Sequence, residues 1–320
     1  MNVLEKMILK IIKSKVSNWF KMEKSLTQKQ NVYLSDVLSP EKSWPNPDKI
    51  ASGEEVPFSL QNIPLVGLSL KSCVAQGMKA IKSIKDNPKR LKATMSQDEF
   101  QKFEDLAEKM GIGGIGYTKL PAHFIFKERA VLFDAAIVLI MEMDKEKITK
   151  APSIETFQMV MKTYDTLGII TNKLTDFLRQ MEFQAQASHP LGGLVLYPPL
   201  AVKAGLGWFG RHGLLITPAF GARQRVAAIF VNIENLPIND NNEHTWISNF
   251  CGKCGRCIKM CPNKAILENP IEHKSGRKTT IDRDKCLPVF VKQNGCTVCI
   301  KECVFTNQKY DTIKKKIKQN

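Results

Sequence analysis

Along residues 1–24, Leu4, Met7, Ile8, Ile11, Ile12, Val16, Trp19 and Phe20 recur at helical spacing, with Lys6, Lys10, Lys13, Lys15, Lys21 and Lys24 between them. This predicts a basic amphipathic helix. Such a stripe either packs on its own protein or makes peripheral contact with a membrane surface. From Leu26 to Pro57 the periodicity stops, and Pro40, Pro45, Pro47 and Pro57 predict an extended linker. Residues 58–245 then read as one α/β domain. Helices are expected over Ser72–Lys85 and Ser96–Met110, the second opened by the Ser96/Glu99 capping pattern and closed by Gly111. Gly113–Lys119 and Val131–Met141 read as strands, the latter apolar enough to be buried on both faces. Ile154–Phe183 is a long helical stretch with an expected break near Gly168. A short helix over Pro199–Ala204 and strands over Leu214–Thr217 and Arg225–Val231 complete the domain.

From residue 246 the pattern changes from apolar periodicity to cysteine spacing. Cys251, Cys254, Cys257 and Cys261 form C-x2-C-x2-C-x3-C, followed at once by Pro262, the bacterial ferredoxin run for iron–sulfur ligation. Three thiolates two residues apart wrap three corners of a cubane, and the fourth turns away toward another cluster. Cys286, Cys296, Cys299 and Cys303 supply the remainder. Crossed pairing predicts cluster 1 on Cys251, Cys254, Cys257 and Cys303, and cluster 2 on Cys261, Cys286, Cys296 and Cys299. The second group is stretched, with nine residues between Cys286 and Cys296. Structural zinc prefers paired C-x2-C knuckles, which this run matches poorly. Disulfides do not suit a chain without a secretory signal. The isolated Cys73 reads as a small buried hydrophobe. Residues 246–310 thus form a ferredoxin-like domain, and 311–320 a basic tail.

Charge adds a partner class. Lys and Arg outnumber Asp and Glu 47 to 31, a net +16. An excess of this size suits an acidic partner: nucleic acid, an anionic membrane surface or an acidic redox protein. Eight cluster thiolates offset part of it. The apolar run Ala135–Met141 is too short to span a bilayer, and lysines interrupt the first apolar stretch, so a cytoplasmic chain with at most surface membrane association is expected.

Two motifs mislead. Gly111, Gly113 and Gly116 satisfy G-x-G-x-x-G, but a dinucleotide site needs a strand before the glycines and a helix after them; here the order is reversed. His189-Pro190-Leu191-Gly192 matches half of the cobalamin-ligand motif D-x-H-x-x-G, with Ala187 at the aspartate position, and reads as a satisfied or exposed loop histidine. P-loop, G-x-S-x-G and H-E-x-x-H patterns are absent.

The run Tyr197-Pro-Pro-Leu-Ala-Val-Lys-Ala-Gly-Leu-Gly-Trp-Phe-Gly-Arg-His-Gly-Leu-Leu-Ile-Thr-Pro-Ala-Phe-Gly221, followed by the stretched cysteine groups, resembles the cobalamin-binding core shared by epoxyqueuosine reductases and reductive dehalogenases. The resemblance covers roughly residues 95–305. It implies an α/β (α+β) fold: a nitroreductase-like sheet with flanking helices, then a ferredoxin-like domain with two 4Fe–4S clusters. It implies a corrinoid bound base-off near Gly205, Gly207, Trp208, Gly210, Leu215, Gly221 and Val226, where glycines admit a planar macrocycle. A glycine-rich turn that only packs helix on strand is the alternative. The proton-donating aspartate of epoxyqueuosine reductase falls on Leu191, and the nearest Asp upstream is Asp176. Neither the helical-repeat tail of that enzyme nor the twin-arginine signal of long dehalogenases is found here. Tyr197, supported by Lys203 or Arg211, is the candidate acid by analogy with dehalogenases. The resemblance therefore implies a reductase that takes electrons from a ferredoxin or flavodoxin and reduces a small organic electrophile. The alternatives are an electron carrier or activator without its own substrate, and a reductase of a transfer-RNA base.

Overall fold

The computed structural model describes residues 3–39, 63–90, 92–274 and 278–318, so the linker prolines Pro40, Pro45, Pro47 and Pro57 lie outside the described residues. The basic amphipathic segment is helix α1 (Val3–Ser25). Its C-terminal half packs on the protein, with Val16, Trp19 and Phe20 buried against Val74. The Trp19 ring explains two glycines: a Cβ on Gly77 would stand 2.1 Å from it and one on Gly192 2.7 Å. A buried ion pair, Arg129 Nε donating to Glu23 at 3.1 Å, secures the same end. Ile11 is half exposed, and the side chains of Leu4, Met7, Ile8 and Ile12 lie outside the described residues.

After β1 (Tyr33–Leu34), helix α2 (Ile63–Lys82) begins at Ile63 rather than Ser72. Pro64 is tolerated in a first helical turn, and the apolar stripe continues through the buried Val66 and Leu70. Helix α3 (Gln97–Lys109) carries the expected capping box. Ser96 N–H donates to Glu99 Oε2 at 2.9 Å, and Glu99 N–H donates to Ser96 Oγ at 3.3 Å. Gly111 follows at φ +93, the left-handed turn that ends a helix.

Strand β2 (Gly114–Lys119) is as expected, but the strand expected over Val131–Met141 is two strands. The first, β3 (Ala130–Val131), pairs with β1. The second, β4 (Ala135–Glu142), is buried at seven of eight positions. Helix α4 (Lys145–Thr149) is followed by α5 (Ile154–Gln180), which runs unbroken through Gly168. Then come β5 (Ala185–Ser188), α6 (Tyr197–Lys203), β6 (Trp208–Phe209), β7 (Leu215–Ile216) and β8 (Gln224–Val231).

The main sheet has the order β2-β4-β8-β5 with every neighbour antiparallel. Alternation along β4 divides the core. Ala135, Ile137, Leu139 and Met141 face α3 and α5, with Phe103, Leu167 and Leu174 among the buried partners. Ala136, Val138 and Ile140 face Leu200 of α6, Leu215 of β7 and the Leu194–Val195 turn. A mixed helix-and-sheet fold is thus confirmed.

The cysteine-bearing region is built from short helices: α7 (Trp246–Cys254), α8 (Arg256–Met260), α9 (Arg283–Lys292), α10 (Val298–Lys301) and α11 (Val304–Asn307). An antiparallel hairpin, β9 (Ile266–Glu272) with β10 (Lys278–Ile281), fills the span between the two cysteine groups. The segment expected to be a basic tail is instead helix α12 (Tyr310–Lys318), with Ile313 buried; residues 319–320 lie outside the described set. Tyr310 ties it down, accepting from Trp246 Nε1 at 3.0 Å and meeting His244 Nδ1 at 2.7 Å. Among the described residues, no helix is long and apolar enough to cross a membrane.

Candidate functional site

All eight cysteines of the two groups are reduced thiols at buried or half-buried positions. Their mutual influence reveals which stand together. Burial pushes the Cys303 thiol up to about 12, with Cys251 and Cys257 as neighbouring like charges. Burial pushes Cys251 up to about 11, with Cys257 and Cys254 adding to it. Cys286 is raised by burial, then by Cys296 and Cys261. Cys299 is raised by burial, then by Cys296 and Cys286, with weaker effects from Cys257 and Cys261. The first group is Cys251, Cys254, Cys257 and Cys303; the second is Cys261, Cys286, Cys296 and Cys299. This is the crossed arrangement, and Cys257 beside Cys299 places the groups side by side.

The donor set fits iron–sulfur clusters. Pockets that resist thiolates when empty hold them when bound metal replaces the protons. Peptide N–H groups are aimed at the sulfurs. Ala265 N–H donates to Cys261 Sγ at 3.2 Å. The backbone N–H groups of Arg211, of Phe305 and Thr306, and of Val298 work against burial at Cys251, Cys303 and Cys296 and favour their thiolates. Such donors stabilise negative charge on cluster sulfur.

The stretched second group has a structural reason. Cys286 lies in α9, and the chain then turns through Asn294, Gly295, Cys296 and Thr297, all at positive φ. Backbone of this kind is held only by its surroundings and gathers at functional sites. The turn returns the chain so that Cys296 and Cys299 meet Cys286.

The segment from Ala204 to Gly221 lies between this centre and the sheet. Trp208 and Ile216 pack in one apolar cluster with Cys251, Cys299 and Cys303. A small cavity lined by Cys251, Cys254, Cys257 and Cys303 is closed on one side by Arg211 and His212. His212 is buried, and burial pushes its pKa down to about 4.

The corrinoid-contact positions divide into two sets. At Gly207 a Cβ would stand 2.0 Å from the Ile216 carbonyl, at Gly221 2.0 Å from the Phe305 carbonyl, and at Gly210 2.5 Å from the His212 ring. These three glycines are consumed by packing within the chain, and Leu215 is buried in the core. The other set stays open. A Cβ on Gly205 would meet nothing within 4 Å, and Trp208 and Val226 are only partly buried, beside Leu206 and Phe220.

Tyr197 is held as part of the scaffold. Its hydroxyl donates to the His189 carbonyl at 2.8 Å and lies 2.8 Å from Ser188 Oγ. Burial pushes the phenol well above its ordinary value. The expected cationic support is elsewhere: Lys203 pairs with Asp240 at 3.5 Å, and Arg211 lines the cysteine cavity. Asp176 is on α5, ion-paired to Lys79 and Arg179. His189 is buried rather than exposed, its Nδ1 2.9 Å from the Leu191 carbonyl. Sequence reasoning missed His212, whose signal is only its place after the Trp208–Gly210 motif. A cavity of about 920 Å³ opens at the far end of the sheet, where Ala135 pairs with Val231. Asn87, Gln184 and Asn232 in its wall are engaged in loop hydrogen bonds, and the cysteines lie at the opposite end of β8, about 23 Å along the strand.

Residues 250–307 match the 4Fe-4S dicluster domain family. Over 220 residues the chain is 30% identical to tetrachloroethene reductive dehalogenase of Desulfitobacterium hafniense, covering 62% of this chain and 38% of that protein. Over 135 residues it is 33% identical to epoxyqueuosine reductase of Francisella cf. novicida (strain Fx1), covering 39% of this chain and 36% of the relative. Its homologues are reductive dehalogenases and epoxyqueuosine reductases.

These homologues are oxidoreductases by name. The dehalogenase fold extends over most of the chain. A catabolic reductive dehalogenase in complex with 3-bromo-4-hydroxybenzoic acid superposes with a TM-score of 0.60 at 20% identity, over 74% of this chain and 37% of that one. Another solved dehalogenase, described as suggesting a mechanism for B12-dependent dehalogenation, gives 0.59 at 18% identity over 74% of this chain and 37% of that chain. The chain spans 38% of the length of the dehalogenase relative.

Proposed function

We propose that this chain is the electron-carrying core of a cobalamin-dependent reductase acting on a small organic electrophile. The observation that carries the reading is the placement of Trp208: it belongs both to the apolar cluster of Cys251, Cys299 and Cys303 and to the sheet-facing cluster that includes Val226. Gly205, Trp208 and Val226 are the residues that would bear the corrinoid. When bound, the corrinoid supplies a redox-active cobalt, the hard chemistry of the reaction. The chain's own residues bury the thiolates, aim the Ala265 N–H at the Cys261 sulfur and join the cysteine region to the sheet through Trp208. Lys253, Lys259 and Lys264 are exposed around the cluster ligands, a charge pattern that suits an acidic ferredoxin or flavodoxin as electron donor.

A second reading is an electron carrier or activator that serves a corrinoid held elsewhere. The glycines consumed by internal packing favour it. Anaerobic reconstitution with iron, sulfide and cobalamin, followed by desalting, separates the two. Retention of about one cobalt per chain with a base-off cobalt(II) EPR signal supports the leading reading. About eight irons and no cobalt would transfer the proposal to the carrier.

A further inference from the structure

His212 follows Arg211, which lines the same cavity as Cys251. Its ring is 1% exposed and lines the cavity that Cys251, Cys254, Cys257 and Cys303 surround. The peptide N–H of Leu214 donates to His212 Nδ1 at 3.2 Å. A ring nitrogen that accepts carries no proton, so the proton of the neutral imidazole is on Nε2. Nε2 is buried and has no hydrogen-bond partner among the described residues. A buried donor left without an acceptor is costly, and native proteins rarely leave one. The ring is also fixed in place, since it fills the space that a Cβ on Gly210 would need.

We propose that His212 Nε2–H donates a hydrogen bond to a sulfur of cluster 1 and raises the reduction potential of that cluster. The inference rests on the reading of the eight cysteines as ligands of two 4Fe–4S clusters. A hydrogen bond to cluster sulfur stabilises the reduced, more negative state, which is how protein donors tune these potentials. Trp208 and Ile216 pack with Cys251 and Cys303 of cluster 1 and with Cys299 of cluster 2. The hydrogen bond moves no proton and breaks no covalent bond. His212 is a positioning residue for charge, not a ligand.

The test is an EPR-monitored redox titration of the full chain, reconstituted anaerobically, as wild type, His212→Leu and His212→Gln. All three are expected to hold about eight irons. His212→Leu lowers the potential of one cluster and leaves the other where it was, and His212→Gln, which keeps an N–H donor, recovers most of the shift. Wild-type potentials in His212→Leu would overturn the proposal while leaving the clusters in place. Failure of the wild-type chain to form any cluster would instead overturn the reading beneath it. Proton ENDOR on the reduced wild-type protein, with histidine nitrogen labelled with 15N, needs no variant to fold. An exchangeable proton and a 15N coupling to one cluster support the hydrogen bond; absence of both contradicts it.

Discussion

The imidazole of His189 occupies the space beside Gly168: a Cβ built on that glycine would stand 2.0 Å from His189 Nε2. The glycine sits mid-helix in α5, where it costs roughly 1 kcal/mol relative to alanine in an open helix. Here the missing side chain admits the loop that follows β5. Gly168→Ala is therefore expected to destabilise the fold by about 1–3 kcal/mol, the range for overpacking. A thermal melt checks it; a rise in Tm would show that the ring yields freely.

The crossed pairing makes a prediction that sequence order alone would reverse. Cys303 is last in the chain yet stands with Cys251 and Cys257. Cys261 closes the first run yet belongs with Cys286. Cys303→Ala and Cys254→Ala should disturb the same EPR signal, and Cys261→Ala the other. If Cys261→Ala and Cys254→Ala instead alter one common signal, the pairing follows sequence order and the crossed arrangement is refuted.

The Glu23–Arg129 pair fastens α1 to the α/β domain from inside, both side chains less than a tenth exposed. Removing one partner leaves a buried charge uncompensated, a loss of about 3–5 kcal/mol. Urea denaturation of Glu23→Gln should register it. The double change Glu23→Gln with Arg129→Met should recover part, since no lone charge remains. Equal losses in both would show that packing, not charge, is responsible.

Tyr197→Phe separates scaffold from catalyst. The hydroxyl bonds the His189 carbonyl and Ser188, so its loss should reduce stability by about 1 kcal/mol. Turnover of whatever substrate the reductase accepts should change little once the variant is folded. A hundredfold fall in kcat with unchanged Tm would restore it as the proton donor.

How much of this was legible in the sequence depended on whether the signal was local. The Ser96–Glu99 capping box and the apolar run of β4 are complete within a few residues; the box appears as expected, and the run is a buried strand that starts at Ala135 rather than Val131. The cysteine groups were legible because thiol spacing is itself the geometry of the centre. Strand β5 was not. Ala185-Gln-Ala-Ser188 has no β-branched residue and is a strand because β8 pairs with it. The break expected at Gly168 failed because the reason for that glycine lies in His189, far along the chain. The motif glycines Gly207, Gly210 and Gly221 announced close approach correctly, but not what approaches. Burial against Ile216, His212 and Phe305 is tertiary information, and so is the role of His212.

The most direct measurement is iron and acid-labile sulfide analysis with EPR on the anaerobically reconstituted, dithionite-reduced chain. The account predicts about eight irons and eight sulfides per chain, with the broadened spectrum of two reduced cubanes side by side. Tightly bound zinc at about two per chain, with no labile sulfide, would contradict it.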